Sequence, residues 1–291
     1  MRVSFTKMHG AGNDFVMLNA LAHEMPQDLA AFSRDLSHRH FGIGADQVLI
    51  AYPSKQADFR MDIYNADGGR VEMCGNGIRC FIHYLRDQGL TDKTDLTIET
   101  LGGLIKPQLI VDHPKKNTNT EWVRVDMGEP ILEGSEVPTT RSGKLINIEY
   151  ELQNTQNLLA SDPKVFNLTA VSMGNPHCVI FVDDVENYPV ERIGSAIEND
   201  PLFPNRVNVE FVQVKDRTHL IQRTWERGSG ETYACGTGAS AVAVAAILTD
   251  QVDRQLTISL KGGDLDLFWD EETGHVFKTG PSVKVFEGEW L

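Results

Sequence analysis

The stretch MCGNGIRCFIHYL (residues 73–85) recurs in pattern as ACGTGASAVAVAA (residues 234–246), and this pair of segments decides the fold. Each segment begins as Cys-Gly-x-Gly and continues as an apolar run, which predicts a helix that starts in a glycine-rich turn. Aligning the segments places Cys74 on Cys235, an offset of 161 residues. A repeat of this kind indicates two structurally similar halves rather than two unrelated domains.

Other polar positions support the same offset. Three pairs follow it or miss it by one residue: Gln47 with Asn208, Asn65 with Glu226, and Asn13 with Asn175. Each member of the last pair opens an apolar strand after a glycine-containing turn. The repeat therefore extends beyond the cysteine motif to the segments that precede it.

Most of the chain is predicted to form short strands. Runs rich in β-branched and aromatic residues predict strands, and they cover residues 15–18, 46–52, 59–65, 95–100, 122–127, 145–152, 177–182, 207–214, 219–226, 255–260, 264–269 and 282–288. Helices are predicted over residues 26–40, 74–88, 189–199 and 235–250. The pattern indicates an α+β protein with a mostly antiparallel sheet.

The boundary between the halves is predicted near Asp126–Met127. The polar, turn-rich stretch HPKKNTNTE (113–121) just before it is typical of a hairpin tip rather than of a domain linker. We expect a first half of residues 1–126, completed by 281–291, which carries Cys74. Residues 127–280 form the second half, which carries Cys235.

Composition excludes several classes of protein. The chain has 291 residues and a net charge of −14, a field that repels nucleic-acid phosphates and anionic lipid. Four cysteines are too few for a disulfide framework. The N-terminal segment has no secretory signal pattern, and no apolar run reaches the length of a membrane span. We therefore expect a cytoplasmic protein with reduced thiols and no nucleic-acid or membrane partner.

A cysteine at the start of a helix can be more acidic than an ordinary cysteine. Unpaired N–H groups and the helix dipole stabilise a thiolate there, which lowers the pKa of the thiol. The adjacent glycines let a carboxylate approach the same N–H groups. Two such motifs that face each other could remove a proton from one side of an α-carbon and return one to the other side. The pattern therefore favours two-base racemisation or epimerisation.

Other interpretations of the motifs are weaker. A single cysteine is usually a small buried apolar residue, and this is what we expect of Cys80 and Cys178. No CxxC or HExxH spacing supports a metal site. The glycine pairs lack the strand–turn–helix context of a dinucleotide site, and there is no phosphate-binding loop. We expect neither a metal nor a cofactor.

The chain resembles the diaminopimelate epimerase family. The motifs that carry the resemblance are HGAGNDFV (9–16), GADQVL (44–49), YNADGG (64–69), MCGNGIRC (73–80), MGNPHCV (173–179), RVNVEF (206–211), ERGSGET (226–232) and ACGTGA (234–239). The resemblance implies two pseudo-symmetric halves, each a mostly antiparallel, barrel-like sheet around a central helix, with the active site between them. It also implies a homodimer that interconverts LL- and meso-diaminopimelate without pyridoxal phosphate or metal, in lysine and peptidoglycan precursor synthesis.

The resemblance further implies a set of site residues. The catalytic pair corresponds to Cys74 and Cys235, and His177 and Glu226 support catalysis. Substrate contacts correspond to Asn13, Gln47, Asn65, Gly75, Asn76, Asn175, Asn208, Glu226, Arg227, Gly236 and Thr237. This set suits a substrate that is zwitterionic at both ends, because amides both donate and accept hydrogen bonds. Arg227 could bind the distal carboxylate and Glu226 an ammonium group.

Two alternatives remain open. One is a racemase or dehydratase for a cyclic imino acid on a similar duplicated scaffold, although the arginine and the many amides favour a longer, doubly charged substrate. The other is a non-catalytic amino-acid-binding or scaffold protein of the same fold. The presence of both Cys-Gly-x-Gly cysteines argues against this second alternative.

Overall fold

The computed structural model describes residues 2–291 and contains many strands and few helices, so the predicted α+β class is confirmed. The helices are α1 (Leu29–Ser37), α2 (Gly77–Asp87), α3 (Val190–Glu198) and α4 (Gly236–Leu248). The strands are β1 (Val3–Gly10), β2 (Asn13–Asn19), β3 (Gln47–Tyr52), β4 (Phe59–Asn65), β5 (Arg70–Val71), β6 (Ile98–Thr100), β7 (Gly103–Ile105), β8 (Gln108–Leu109), β9 (Thr120–Asp126), β10 (Ile148–Glu151), β11 (Val165–Ser172), β12 (Pro176–Phe181), β13 (Asn208–Asp216), β14 (His219–Glu226), β15 (Gly230–Thr232), β16 (Gln255–Leu260), β17 (Gly263–Trp269) and β18 (Val276–Trp290).

The chain divides into two compact units. The first comprises residues 1–126 and 279–291, and the second comprises residues 127–278. The long strand β18 begins in the second unit and ends in the first. The second division therefore falls within a continuous strand, two residues before the position expected from the sequence.

In the first unit, β2 pairs with β1 antiparallel and with β3 parallel. Strand β3 pairs with β4 antiparallel, and β4 also pairs with β5 antiparallel and β6 parallel. Strand β6 pairs with β7 antiparallel. Helix α2 is inserted between β5 and β6, and its residues 77–85 are all buried. The buried residues of α2 include the polar Arg79 and His83 as well as apolar residues.

The second unit repeats this order of pairings. Strand β12 pairs with β11 antiparallel and with β13 parallel, and β13 pairs with β14 antiparallel. Strand β14 pairs with β15 antiparallel and β16 parallel, and β16 turns back on β17. Helix α4 takes the place that α2 has in the first unit. The repeat expected from the cysteine motif is therefore present in the topology of each unit.

Helix α4 is built from small apolar residues. Its sequence GTGASAVAVAAIL is buried from Gly236 to Ala246 except at Thr237. Alanine has the strongest helix propensity and adds little bulk, so the surrounding strands can approach the helix from all sides. The longest helix of residues 2–291 has 13 residues, and none could span a bilayer.

Candidate active site

The first group of predicted site residues lies where β2, β3, β4 and helix α2 begin or end. We call this group, which consists of Asn13, Gln47, Asn65, Cys74, Gly75 and Asn76, the Cys74 cluster. Asn13 opens β2, Gln47 opens β3, and Asn65 closes β4. Because Gln47 is paired with Asn65 across the sheet, these polar side chains share one edge. The sequence therefore places the amides at strand ends, where they do not have to be buried in the sheet.

Cys74 precedes helix α2 and is held by the first helical turn. The backbone N–H of Gly77 donates to Cys74 Sγ over 3.3 Å. The thiol itself lies 3.7 Å from Asn13 Oδ1 and can donate to it. Asn76, the N-cap of the helix, places its Nδ2 3.5 Å from the same oxygen. Cys74, Asn13 and Asn76 thus form one connected set.

Asn13 is fixed by its neighbours in sequence and in the sheet. Its Nδ2 donates to Asp46 Oδ2 over 2.8 Å. Asp46 in turn binds Arg39, which also makes a bidentate pair with Asp14. Although burial raises the pKa of Asp14, its hydrogen bonds from Arg39 and Lys7 dominate and hold that pKa well below the usual range. This ion-pair network anchors the starts of β2 and β3.

Gln47 and Asn65 form a second connection within the Cys74 cluster. Gln47 Nε2 donates to Asn65 Oδ1 over 2.8 Å, and both side chains remain half-buried. The pair leaves the Nδ2 group of Asn65 available as a donor to a ligand. The two amides are therefore oriented by each other rather than by solvent.

Beneath Cys74, helix α2 carries a fully buried arginine that the sequence reading did not single out. Arg79 donates to the carbonyl of Gly75 over 3.0 Å, to Asn76 Oδ1 over 3.1 Å and to the carbonyl of Pro281 over 3.2 Å. Its partners among the described residues are neutral, and it interacts electrostatically with the thiols of Cys80 and Cys74. Burial lowers the pKa of Arg79. The guanidinium places a positive charge below the candidate thiolate.

The second group of predicted site residues surrounds the start of helix α4. We call this group, which consists of Asn175, His177, Asn208, Glu226, Arg227, Cys235, Gly236 and Thr237, the Cys235 cluster. Cys235 is the N-cap of the helix, and the N–H of Gly238 donates to its Sγ over 3.4 Å. The hydroxyl of Thr237 lies 3.5 Å from the same sulfur. Each candidate cysteine thus receives an N–H from the residue three positions later.

The thiol of Cys235 differs from the prediction made for a helix start. Burial raises the pKa of Cys235 well above its ordinary value, and the carboxylates of Glu226 and Glu210 raise it further. The hydrogen bonds from Thr237 and Gly238 act in the opposite direction but do not compensate. The expected lowering of the pKa is therefore wrong for Cys235, because desolvation and two nearby acids outweigh the helix N-terminus. This direction of the pKa shift favours the protonated thiol of Cys235, the form that can act as an acid.

His177 is fully buried and is held at both ring nitrogens. Its Nδ1 lies 2.8 Å from Glu210 Oε1, and its Nε2 lies 3.1 Å from Asn175 Oδ1. A ring nitrogen of His177, a carboxylate oxygen of Glu210 and Cys235 Sγ all lie within 4.8 Å of one another. These three donor types could hold a zinc ion. The Glu210 carboxylate, however, already accepts hydrogen bonds from protein groups at both oxygens.

Glu226 lies at the end of β14, beside Cys235. Burial raises the pKa of Glu226, and the nearby Glu210 raises it further. Its Oε1 accepts a hydrogen bond from the Thr232 hydroxyl over 2.5 Å, and this bond and the nearby Cys235 thiol lower the pKa of Glu226 in part. A carboxyl group with a raised pKa next to a thiol suits proton exchange or binding of an ammonium group.

Asn208 and Arg227 are joined at the rim of the Cys235 cluster. The side chain of Asn208 donates to the carbonyl of Pro176 over 2.9 Å and accepts from the backbone N–H of Arg227 over 3.0 Å. The Arg227 side chain is exposed and uses one of its donors on the carbonyl of Asn205. Its remaining donors are available for a carboxylate.

Close packing explains why the second residue labelled Gly in each Cys-Gly-x-Gly motif has no side chain. A Cβ on Gly238 would lie 2.4 Å from Glu210 Oε1, and a Cβ on Gly77 would lie 2.9 Å from Leu49 Cδ2. Separations this short are repulsive. The sequence reading explained these glycines by the approach of a ligand carboxylate. At Gly238 the group that approaches is a carboxylate of the protein itself.

The sequence of the chain matches a known protein family. The family model described as diaminopimelate epimerase matches residues 5–133 and 169–285. The chain belongs to the diaminopimelate epimerase family. This confirms the resemblance carried by the motifs.

Individual members of the family match over nearly the whole chain. The diaminopimelate epimerase of Moorella thermoacetica is 48% identical over 286 residues, which cover 98% of each protein. That of Leptospira biflexa is 49% identical and covers 99% of each protein.

Solved structures share the fold at much lower identity. A phenazine biosynthesis protein of the PhzF family from Bacillus anthracis superposes with a TM-score of 0.72 at 17% identity, covering 100% of this chain and 99% of that one. A probable proline racemase from Agrobacterium radiobacter gives a TM-score of 0.66 at 13% identity, covering 99% and 93%. These structural similarities show that the chain shares the fold of those proteins.

Proposed function

We propose that this member of the diaminopimelate epimerase family interconverts LL- and meso-diaminopimelate by a two-base mechanism, with Cys74 and Cys235 as the two bases. The observation that carries the proposal is the matched environment of the two thiols. Each lies at the start of a buried helix and accepts the N–H of the residue three positions later. The other two cysteines of the chain have no such position, since Cys80 lies within helix α2 and Cys178 within strand β12.

In the proposed reaction one thiolate takes the proton from the α-carbon of the substrate. The electron pair of the C–H bond moves into the adjacent carboxylate, and the other thiol delivers its proton to the opposite face of the carbon. The charge environments suggest Cys74 as the base at rest and Cys235 as the acid. Arg79 lies below Cys74, whereas Glu226 and Glu210 flank Cys235. In the reverse direction the two roles exchange.

The intermediate needs stabilisation because an α-proton next to a carboxylate is a very weak acid. Two helix N-termini supply preorganised N–H donors for the negative charge that develops on the carboxylate. The start of α2 carries Gly75 and Asn76, and the start of α4 carries Gly236 and Thr237. We propose that these groups hold the carboxylate of the reacting centre.

The remaining polar residues are proposed to bind the rest of the substrate. Asn13, Gln47 and Asn65 would contact it from the first unit, and Asn175 and Asn208 from the second. Arg227 would bind the distal carboxylate, since its guanidinium has free donors and is exposed. Glu226 would bind an ammonium group, and His177 would support proton movement near Cys235.

The proposed setting follows the family resemblance. The active site would lie in the cleft between residues 1–126, completed by 281–291, and residues 127–280, and the two halves would close on the substrate to exclude water. The enzyme would act in the cytoplasm as a homodimer, without pyridoxal phosphate or metal, in lysine and peptidoglycan precursor synthesis.

Substrate specificity tests the proposal. The purified protein is incubated separately with LL-diaminopimelate, L-proline and trans-4-hydroxy-L-proline, and the stereoisomers are separated by chiral chromatography. We expect meso-diaminopimelate from the first incubation and no isomer from the others. Isomerisation of an imino acid would support the racemase alternative. Binding of diaminopimelate without conversion would support a binding protein.

A further inference from the structure

Glu210 is the most completely enclosed acidic residue near the Cys235 cluster, and the proposed mechanism uses only its charge near the Cys235 thiol. It lies on β13, two residues after Asn208, and has no exposed surface. An ionised carboxylate costs several kcal/mol to bury unless hydrogen bonds satisfy it. The hydrogen bonds of the Glu210 carboxylate therefore indicate the role of this residue.

The two carboxylate oxygens of Glu210 contact different residues. Oε2 accepts from Gln222 Nε2 over 2.9 Å and from the Thr224 hydroxyl over 2.6 Å. Oε1 lies 2.8 Å from His177 Nδ1. Gln222 also donates to the Thr224 hydroxyl over 2.9 Å, so that hydroxyl must turn its own proton toward Glu210. Oε2 is thus fixed by two donors from β14, and Oε1 is left for the imidazole.

This arrangement determines where His177 carries its proton. A carboxylate oxygen only accepts, so the nitrogen that faces it must be N–H. Nδ1 therefore holds a proton whether the ring is neutral or charged. The remaining nitrogen, Nε2, lies 3.1 Å from Asn175 Oδ1 and donates to it when Nε2 carries a proton. When Nε2 is unprotonated, the Asn175 amide has to turn and donate from its Nδ2 instead.

We propose that Glu210 is a positioning residue that locks the proton of His177 on Nδ1, so that Nε2 is the nitrogen that exchanges protons in the Cys235 cluster. This inference rests on the proposed function of that cluster. Glu210 also lies directly against Gly238, the residue whose N–H contacts Cys235. It therefore contacts both the ring and the helix start that the thiol depends on.

The other charged and titratable groups near Cys235 are Glu226 on β14 and His177 on β12, and both act on the thiol or on each other. Of the two acids, Glu210 contacts His177 Nδ1 and is fully buried, whereas Glu226 is partly exposed. Glu226 is instead tied to the Thr232 hydroxyl. The tautomer of His177 thus depends on Glu210 rather than on the other acid.

The variant Glu210→Gln gives a specific prediction. Gln222 and Thr224 both need an acceptor, so the new amide oxygen must take the place of Oε2. The new NH2 group then faces His177 Nδ1 and donates to it. His177 must move its proton to Nε2, where it donates to Asn175 Oδ1. The substitution therefore reverses the tautomer while it keeps the size and shape of the side chain.

The test is nitrogen NMR of protein labelled with ¹⁵N-histidine, with the His177 signals assigned by their loss in His177→Gln. We expect the wild-type Nδ1 signal to be that of a protonated nitrogen, because Nδ1 faces the Glu210 carboxylate. In Glu210→Gln we expect a protonated Nε2 and an unprotonated Nδ1. We also expect kcat to fall by about 100-fold with little change in KM, since a general acid–base group contributes about this much.

A matched control separates this effect from loss of stability. Asp200 is another buried carboxylate of the second unit, and it accepts from Tyr150, Gln153, Asn154 and Leu202. Asp200→Asn should destabilise the protein without altering the His177 signals. An unprotonated Nδ1 in wild type, or an unchanged tautomer in Glu210→Gln, would overturn the inference. An inactive wild type with the expected tautomer would instead reject the proposed function.

Discussion

The backbone N–H of Gly77 donates to the Sγ of Cys74 over 3.3 Å, which ties the thiol to the first turn of helix α2. The same contact recurs between Gly238 and Cys235 at the start of α4. A donor of this kind favours the thiolate over the thiol. The repeat found in the sequence is thus a repeat of one N–H to sulfur contact as well as of a topology.

Replacing either cysteine with serine tests the need for both bases. Serine keeps the hydrogen-bonding geometry but is a much weaker acid and base at neutral pH. We expect Cys74→Ser and Cys235→Ser each to lower the rate of epimerisation by at least about 1,000-fold. Cys178→Ala is the control, since this residue lies in the apolar core of the second unit. It should lower thermal stability and leave kcat nearly unchanged. Full activity in either serine variant would contradict the two-base account.

The reactivity of Cys235 should depend on pH in a particular direction. Because burial, Glu226 and Glu210 raise the pKa of Cys235, the thiolate forms only at higher pH. In a Cys74→Ser background, we expect alkylation of Cys235 by iodoacetamide to rise at a higher pH than that of a free cysteine. Glu226→Gln removes one negative charge and should move the profile toward lower pH. Mass spectrometry of the Cys235 peptide measures both profiles. A profile at or below that of free cysteine would refute the assignment.

Gly238 should tolerate no side chain. A Cβ at this position would lie 2.4 Å from Glu210 Oε1, so either the helix start or the carboxylate has to move. We expect Gly238→Ala to lower the free energy of unfolding by about 1–3 kcal/mol and to reduce kcat. Gly102→Ala is the control, because its nearest neighbour would be 3.4 Å away. Equal stability of the two variants in urea unfolding would show that the packing argument is wrong.

Arg79 should be essential for the Cys74 cluster. Arg79→Met leaves the acceptors at Gly75, Asn76 and Pro281 without their donors, which costs about 2–4 kcal/mol. It also removes the positive charge below the thiol, so alkylation of Cys74 at neutral pH should become slower. Arg124→Met, at an exposed position of the same unit, serves as the control for both measurements. Alkylation of Cys74 at the wild-type rate would exclude an electrostatic role for Arg79.

Oxidation gives an independent prediction. If the two thiols face each other across the substrate, a mild oxidant should join Cys74 to Cys235 when no substrate is bound. Activity should disappear and should return on addition of a reductant. A peptide map of the oxidised protein identifies the bridge. Retention of full activity after oxidation, or absence of that cross-linked peptide, would contradict the proposed proximity.

Much of the fold could be predicted from the sequence because the decisive signals are local. The strands 59–65, 219–226 and 255–260 have the predicted bounds, since alternating apolar residues end at clear turn signals. All four helices lie within the predicted ranges. The eight-residue strands β1 and β11 were not predicted, and neither were short strands such as β5 and β7. Strands β5 and β7 have too few residues to show a period, and pairing with a neighbour alone defines them.

The cysteines and the amides of the site could also be predicted, because the motifs repeat and the amides lie at strand ends. Glu210 and Arg79 could not. In the sequence, Glu210 is one polar residue in the strand VNVEFVQV, and Arg79 follows the helical motif as a residue of an ordinary solvent-facing type. Their importance comes from complete burial and from partners far away in sequence, such as Pro281 for Arg79. Only the packed structure reveals such contacts.

The most direct test of the central claim is the fate of the α-hydrogen in D2O. LL-diaminopimelate is incubated with the wild-type protein, and substrate and product are isolated early and analysed by mass spectrometry. With two bases, the meso product carries one deuterium at the inverted carbon, while the remaining LL substrate carries almost none. A single base would return the original hydrogen to part of the product. Meso product without deuterium would therefore contradict the assignment of Cys74 and Cys235 as separate acid and base.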